Sequence, residues 1–215
     1  METKKKIPTS VYAEMTPNPA AMKFVADRAL ITGGLQVEYR TKQEAKGSSP
    51  LAEELFNFPF IQSVFISGNY VTVLKDESLG WEMIVQQLRE YIREWLMENE
   101  IVVSAVTAEL IDRTKSSVDD PVKALHTQAT DYSGFEPTEY DDEIRFLLHE
   151  YVRPAVESDG GAIDFMAYKD KKVYVQLKGS CSGCPSSTMT LKGGIENLLK
   201  AKMPDIVEEV VAESV

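Results

Sequence analysis

Val173-Tyr174-Val175-Gln176-Leu177, followed at once by Lys178-Gly179-Ser180-Cys181-Ser182-Gly183-Cys184-Pro185, is the stretch that decides the fold of this 215-residue chain. Val173, Val175 and Leu177 alternate with Tyr174 and Gln176, the period of a strand with one buried face. Glycines then bracket a short loop. Pro185, with its fixed φ and missing N–H, suits the first turn of a helix. That helix is predicted from Pro185 to Lys202, with Leu191, Ile195, Leu198 and Leu199 on its buried face. Strand, loop and helix in this order place Cys181 and Cys184 at a strand-to-helix junction.

Upstream, Ile144, Leu147, Leu148, Tyr151 and Val152 mark a helix that Pro154 should kink or end. Asp159-Gly160-Gly161 turns the chain, Asp159 being read as a turn residue. Ala162–Tyr168 is predicted as a strand, joined to Val173–Leu177 through Lys169-Asp170-Lys171-Lys172. After the long helix, Ile206–Ala212 reads as a last strand. Residues 139–215 thus form a small domain of order α-β-β-α-β.

The remainder holds a second structured block over residues 1–104. Leu35–Tyr39 reads as a strand and Leu51–Phe56 as a short helix started by Ser49-Pro50 and stopped by Pro59. Val64–Ile66 and Tyr70–Leu74 form a hairpin across Gly68-Asn69. From Trp81 to Glu98 the period becomes helical, with Trp81, Ile84, Val85, Leu88, Ile92, Trp95 and Leu96 on one face. Thr16-Pro17-Asn18-Pro19 reads as a turn with Asn18 as N-cap and Pro19 at the first helical position. Between the blocks, residues 105–138 carry Asp119-Asp120-Pro121, Ser133-Gly134 and Glu136-Pro137 and read as a partly ordered linker. The fold class is therefore α+β: two small α+β domains joined by that linker.

Hydrophobic residues at 43% are sufficient for two packed cores. With 23 Lys and Arg against 34 Asp and Glu, the net charge is −11, which leaves no electrostatic footprint for nucleic acid or an anionic membrane. The three amino-terminal lysines are not followed by an apolar h-region, and no apolar run is long enough to span a bilayer. The expected location is the cytosol. In that reducing setting a Cys-x-x-Cys pair is a metal or redox motif more often than a structural disulfide.

Cys181 and Cys184 are the only cysteines. A thiolate is both the metal ligand and the nucleophile, and a helix N-terminus with unpaired N–H groups favours it. Gly179 and Gly183 let the backbone bend around a bulky group, and Leu177 and Leu191 could shield it. Two thiolates make half of a four-thiolate centre, so a second copy, a partner or a small thiol must complete one. Four readings stand at this point. The pair holds part of an iron–sulfur cluster, cycles as a dithiol, binds half a zinc site, or is inert and buried. The dithiol reading suits a strand-loop-helix, but the strands upstream look like an antiparallel hairpin. The zinc reading has only His126 and His149 to draw on, neither at ligand spacing. The inert reading conflicts with the glycine and serine around the pair, which point to an exposed loop.

Asp159-Gly160-Gly161, Val173–Leu177, Gly179–Pro185 with Ser186-Ser187, and Thr190-Leu191-Lys192-Gly193-Gly194-Ile195-Glu196 together resemble the Nfu family, the carboxy-terminal domain of NifU-like proteins. The first block resembles the amino-terminal Nfu domain through Thr16–Pro19, Lys23-Phe24, Ser49–Ala52, Leu55-Phe56 and the hairpin at Val64-Phe65. The resemblance implies an iron–sulfur scaffold or carrier, not an enzyme. It implies a [4Fe–4S] cluster, with [2Fe–2S] as the alternative, shared across a homodimer in which each chain gives Cys181 and Cys184. Transfer would proceed by ligand exchange, from an upstream donor and on to apo-proteins whose thiolates displace these two. Further cysteine-bearing domains and a transit segment are features of other members, and the organisation here looks like a free-standing two-domain Nfu of bacterial type. The first domain, lacking cysteine, is expected to recognise clients or donors, or to restrain the second.

Gly193-Gly194 inside a helix costs about 1 kcal/mol per glycine relative to alanine. The expected compensation is close packing of the helix on its own sheet, with a subunit contact as the other reading. His149 is expected on the helix surface.

Overall fold

The computed structural model describes residues 6–104, 135–182 and 185–214, with backbone alone at 185–187 and 214. The chain divides into two compact units, Met1–Leu125 and His126–Val215. The expected linker lies outside the described residues except for 135–138. Within that short piece, Phe135 meets Tyr174 edge-on at 5.3 Å between ring centres, so the second unit begins its packing before residue 139.

The first unit is a five-stranded antiparallel sheet in the order β1-β2-β5-β4-β3, with helices against it. Its strands are β1 (Val11–Met15), β2 (Ala21–Ala26), β3 (Gln36–Tyr39), β4 (Ile61–Ser67) and β5 (Tyr70–Lys75). The hairpin β4–β5 is the one the sequence signals, and Gly68 at its turn has a φ of 51°, a left-handed value that suits glycine. Two short helices, α1 (Lys42–Ala45) and α2 (Pro50–Leu55), precede β4. Ser49 caps α2 by accepting from the Ala52 N–H, and Pro50 opens it. The long helix α3 (Trp81–Glu98) buries Ile84, Leu88, Ile92 and Leu96, with Trp81, Val85 and Trp95 at the margin of the core. Arg28 closes its far end by donating to the carbonyls of Leu96 and Asn99, placing a cation at the negative end of the helix.

Two strands went unread in the sequence, β1 and β2. The turn between them is Thr16–Pro19, and no helix follows it. Asn18 Oδ1 accepts from the Ala20 N–H at 2.9 Å, and Thr16 Oγ1 donates to the Asn18 carbonyl at 2.9 Å. Asn18 therefore shapes an Asx turn in a hairpin instead of capping a helix.

The second unit packs helices on one three-stranded sheet, β6-β7-β8. Helix α4 (Asp141–Leu147) continues through a π turn at Leu148–Val152 into α5 (Arg153–Ser158). Pro154 does not end the helix, which runs on to Ser158. Ile144, Leu148, Val152 and Val156 are buried, whereas Tyr151, expected on the same face, is exposed. Then come β6 (Gly161–Lys169), antiparallel to β7 (Lys172–Gly179), the long helix α6 (Pro185–Lys202) and β8 (Glu209–Ser214). β8 lies parallel to β7, because α6 carries the chain back across the sheet before the strand begins. The expected order α-β-β-α-β is what forms. Ile195 and Leu199 of α6 bury against Val173, Val175 and Leu177, with Leu191 and Leu198 at the edge of the core.

Candidate functional site

The second unit brings its chemistry to the junction of β7 and α6. β7 ends at Gly179, whose φ of 63° turns the chain out of the sheet. Two serines then fix the loop. Ser180 Oγ donates to the Asp159 carbonyl at 2.5 Å, and the Ser180 N–H reaches the Gly160 carbonyl at 3.3 Å. Ser182 Oγ and N–H both donate to the Gly179 carbonyl, at 2.8 and 3.1 Å. Thr188, in the first turn of α6, donates to the Cys181 carbonyl at 3.3 Å. The loop is thus tied to the end of α5, to β7 and to α6.

Between those anchors Cys181 is a free thiol, and it is buried, with 6% of its surface exposed. It belongs to the same apolar core as Leu177, Ile195 and Leu199. Glycine and serine around the pair had pointed to an exposed loop. For Cys181 that expectation fails, because the side chain turns inward where the loop crosses β6. Burial works against the thiol activation expected of the helix end. Burial pushes the Cys181 thiol up to about 11, the charge of Asp159 adds to the rise, and only the Ser180 contact opposes it. In this conformation burial favours the neutral thiol. Cys184 lies outside the described residues. Leu177 is fully buried and Leu191 half-buried.

Gly161 was read only as part of a turn. Its partner Gly160 supplies the turn, with a φ of 81°. Gly161 supplies space. A Cβ there would stand 2.6 Å from Cys181 Sγ and 2.7 Å from the Lys178 carbonyl oxygen. The signal in the sequence was the second glycine of Asp159-Gly160-Gly161, one more than the turn requires.

Gly193 and Gly194 were expected to pack closely on their own sheet, and they do not. Both are exposed, and a Cβ at either would meet nothing within 4 Å. His149 lies on the helix surface as expected. His126 is outside the described residues. Among those residues no group of three or more His, Cys, Asp and Glu side chains is gathered as a metal site. None of their helices is long and apolar enough to cross a membrane.

Two family models match the chain. The NifU-like domain covers residues 144–211, the whole neighbourhood of the cysteine loop, and the Nfu/NifU scaffold amino-terminal domain covers residues 11–99. The chain is similar to proteins described as mitochondrial NFU1 iron-sulfur cluster scaffold homologs. That of Drosophila ananassae is 32% identical over 93% of this chain and 64% of its own length. That of Drosophila willistoni is 32% identical over 95% of this chain and 64% of its own length. That of Drosophila erecta is 33% identical over 95% of this chain and 66% of its own length. This chain thus spans slightly under two thirds of the curated relatives it matches. A NifU-like protein from Saccharomyces cerevisiae, solved in solution, aligns with 49% of this chain and 91% of its own at 23% identity and a TM-score of 0.41. With one matched model on each unit, and relatives aligned along more than nine-tenths of its length, the chain belongs to the Nfu/NifU-like family.

Proposed function

We propose that this protein is an iron–sulfur cluster scaffold and carrier, and not an enzyme. The observation that carries the reading is the position of the chain's only two cysteines. They stand in the loop between β7 and α6, inside the stretch matched by the NifU-like domain. The cluster is cargo. Thiolate ligands suit iron in a sulfide cluster, and two per chain fit a [4Fe–4S] cluster held between two subunits by Cys181 and Cys184 of each. Release is ligand exchange, in which thiolates of an apo-protein replace the two cysteines one at a time. The partners are an upstream donor, apo iron–sulfur proteins and a second copy of the chain. The first unit, read as residues 1–104, has no cysteine and is assigned to recognition of clients or donors, with 105–138 as linker and 139–215 as the cluster domain. The relatives carry mitochondrial in their names. The cytosolic location inferred from the sequence stands as a proposal, to be settled by fractionating cells that express the natural gene.

The test is anaerobic reconstitution with iron and sulfide, with Cys181→Ser and Cys184→Ser alongside. Solution mass, iron, sulfide and absorption are read on the same sample. About four irons and four sulfides per dimer, lost in both variants, is the expected result. A monomer that takes no cluster but cycles a Cys181–Cys184 disulfide would replace the carrier with a dithiol oxidoreductase. A dimer that takes zinc alone would make it a structural module.

A further inference from the structure

We infer that Gly161 and Ser180 are positioning residues that stow the Cys181 thiol inside the domain when the chain carries no cargo, so that loading requires the loop to leave this seat. The inference rests on the reading of Cys181 as a cluster ligand. A bridging cluster is far larger than a thiol and must be reached by a second chain and by recipients. A cysteine with 6% of its surface exposed and its side chain counted in the core offers neither access. The inward pose is also accommodated sterically. The strand residue beneath the sulfur is glycine, and a methyl group in place of its hydrogen would lie 2.6 Å from Sγ and 2.7 Å from the Lys178 carbonyl oxygen, so the missing side chain makes room for the thiol as well as for the neighbouring strand. Gly161 needs no glycine-only backbone angle, so steric room is what this position supplies.

The loop is held in this pose by hydrogen bonds. Ser180 and Ser182 flank the cysteine and are themselves almost wholly buried, each donating its hydroxyl to a backbone carbonyl. Ser180 clasps the Asp159 carbonyl, on the turn that leads into Gly161, so one bond ties the cysteine loop to the strand that seats it. Breaking that clasp frees the cysteine to rotate outward. On loading, the thiol gives its proton to water and its sulfur lends an electron pair to iron, with no change of oxidation state. On release the Fe–S bond breaks, the sulfur regains a proton and the side chain returns over Gly161. The apolar seat therefore favours the empty state, helps unload the cluster, and shields an unoccupied ligand from oxidation.

The experiment is alkylation of the full-length, cargo-free, reduced chain by iodoacetamide, with tandem mass spectrometry assigning label to each cysteine. The same preparations are then reconstituted with iron and sulfide. In the wild type, Cys181 should label more slowly than in the chain denatured in urea by roughly a hundredfold, the protection expected of a group that reacts only on local opening. Gly161→Ala and Ser180→Ala, each checked for native circular dichroism, should recover about tenfold or more of that rate. Both should load cluster faster and hand it on more slowly. If Gly161→Ala fails to fold, Ser180→Ala alone decides. Wild-type Cys181 labelling as fast as in urea would overturn the stowed pose. Folded variants that label as slowly as the wild type would remove Gly161 and Ser180 from the role. A wild type that protects Cys181 but binds no cluster would leave the pose standing and bring down the carrier reading, so the two failures are distinct.

Discussion

Lys178 and Asp164 sit diagonally across β7 and β6, with Lys178 Nζ 2.6 Å from Asp164 Oδ2 and the lysine side chain only 10% exposed. The aspartate is more open, so the two partners differ in what they lose when separated. Removing the aspartate strands a nearly buried ammonium, whereas removing the lysine leaves a carboxylate that water can reach. Asp164→Asn should therefore cost about 1–2 kcal/mol in urea unfolding, and Lys178→Met less. Equal costs in a double-mutant cycle would show that burial of the lysine is irrelevant.

Gly193 and Gly194 weaken α6 without any steric need among the described residues. Gly193→Ala and Gly194→Ala should each raise stability by about 0.5–1 kcal/mol in the cargo-free protein. If a second chain presses on this face when cluster is bound, the same variants will weaken the loaded dimer in analytical ultracentrifugation while still stabilising the empty chain. A loss of stability in the empty chain would mean that the glycines serve its own fold.

Tyr39 is buried against the core with its hydroxyl 2.7 Å from Ser48 Oγ, and burial pushes its phenol up from 10.0 to about 12. The fold therefore favours the neutral phenol. That contribution is complete below pH 10 and is lost as pH rises through 12. Across this window the wild type should lose stability by about 1.4 kcal/mol per pH unit beyond any loss in Tyr39→Phe. Parallel decline of the two proteins in alkaline denaturant melts would refute it.

Ser49 is wholly buried and serves two groups at once. Its hydroxyl donates to the Val102 carbonyl at 2.7 Å and accepts from the Ala52 N–H at 3.2 Å. Ser49→Ala leaves both without their partner and should cost about 2–3 kcal/mol, more than a surface cap. A cost below about 0.5 kcal/mol, the range of an ordinary surface change, would show that water replaces the hydroxyl.

The hairpin at Gly68 and the helices Trp81–Glu98 and Pro185–Lys202 were legible because their periods are long and their ends carry turn or proline signals. β2 was not. Ala21–Ala26 reads Ala-Met-Lys-Phe-Val-Ala, four of its six residues helix-favouring, and all six are buried. With both faces covered, no alternation marks the strand, and neighbours on either side decide it. At the site, Cys181 and Cys184 were named by their spacing, yet the burial of Cys181 was not foreseen. Its local composition is that of an exposed loop. What makes room for its burial is Gly161, twenty positions away and brought alongside only when β6 pairs with β7, where Gly161 stands opposite Gly179. Spacing reports chemistry near in sequence, whereas accessibility is set by whatever the sheet brings across.

The π turn at Leu148–Val152 has a consequence for how this helix tolerates change. Ile144, Leu148, Val152 and Val156 are buried at intervals of four. On an α-helix each such step overshoots a full turn by about 40°, so the fourth residue would have swung well off the core. The Arg153 N–H instead reaches back five residues to the Leu148 carbonyl, and the wider turn restores the phase. It also relieves Pro154, whose ring in a continued α-helix would press on the Glu150 carbonyl. The helix thus carries one residue in surplus. Deleting the exposed His149 together with Pro154→Ala would leave apolar residues at i, i+4, i+7 and i+11, an ordinary α-helical stripe. That shortened chain should melt close to the parent, whereas a one-residue deletion inside α6 should rotate every later core residue toward water.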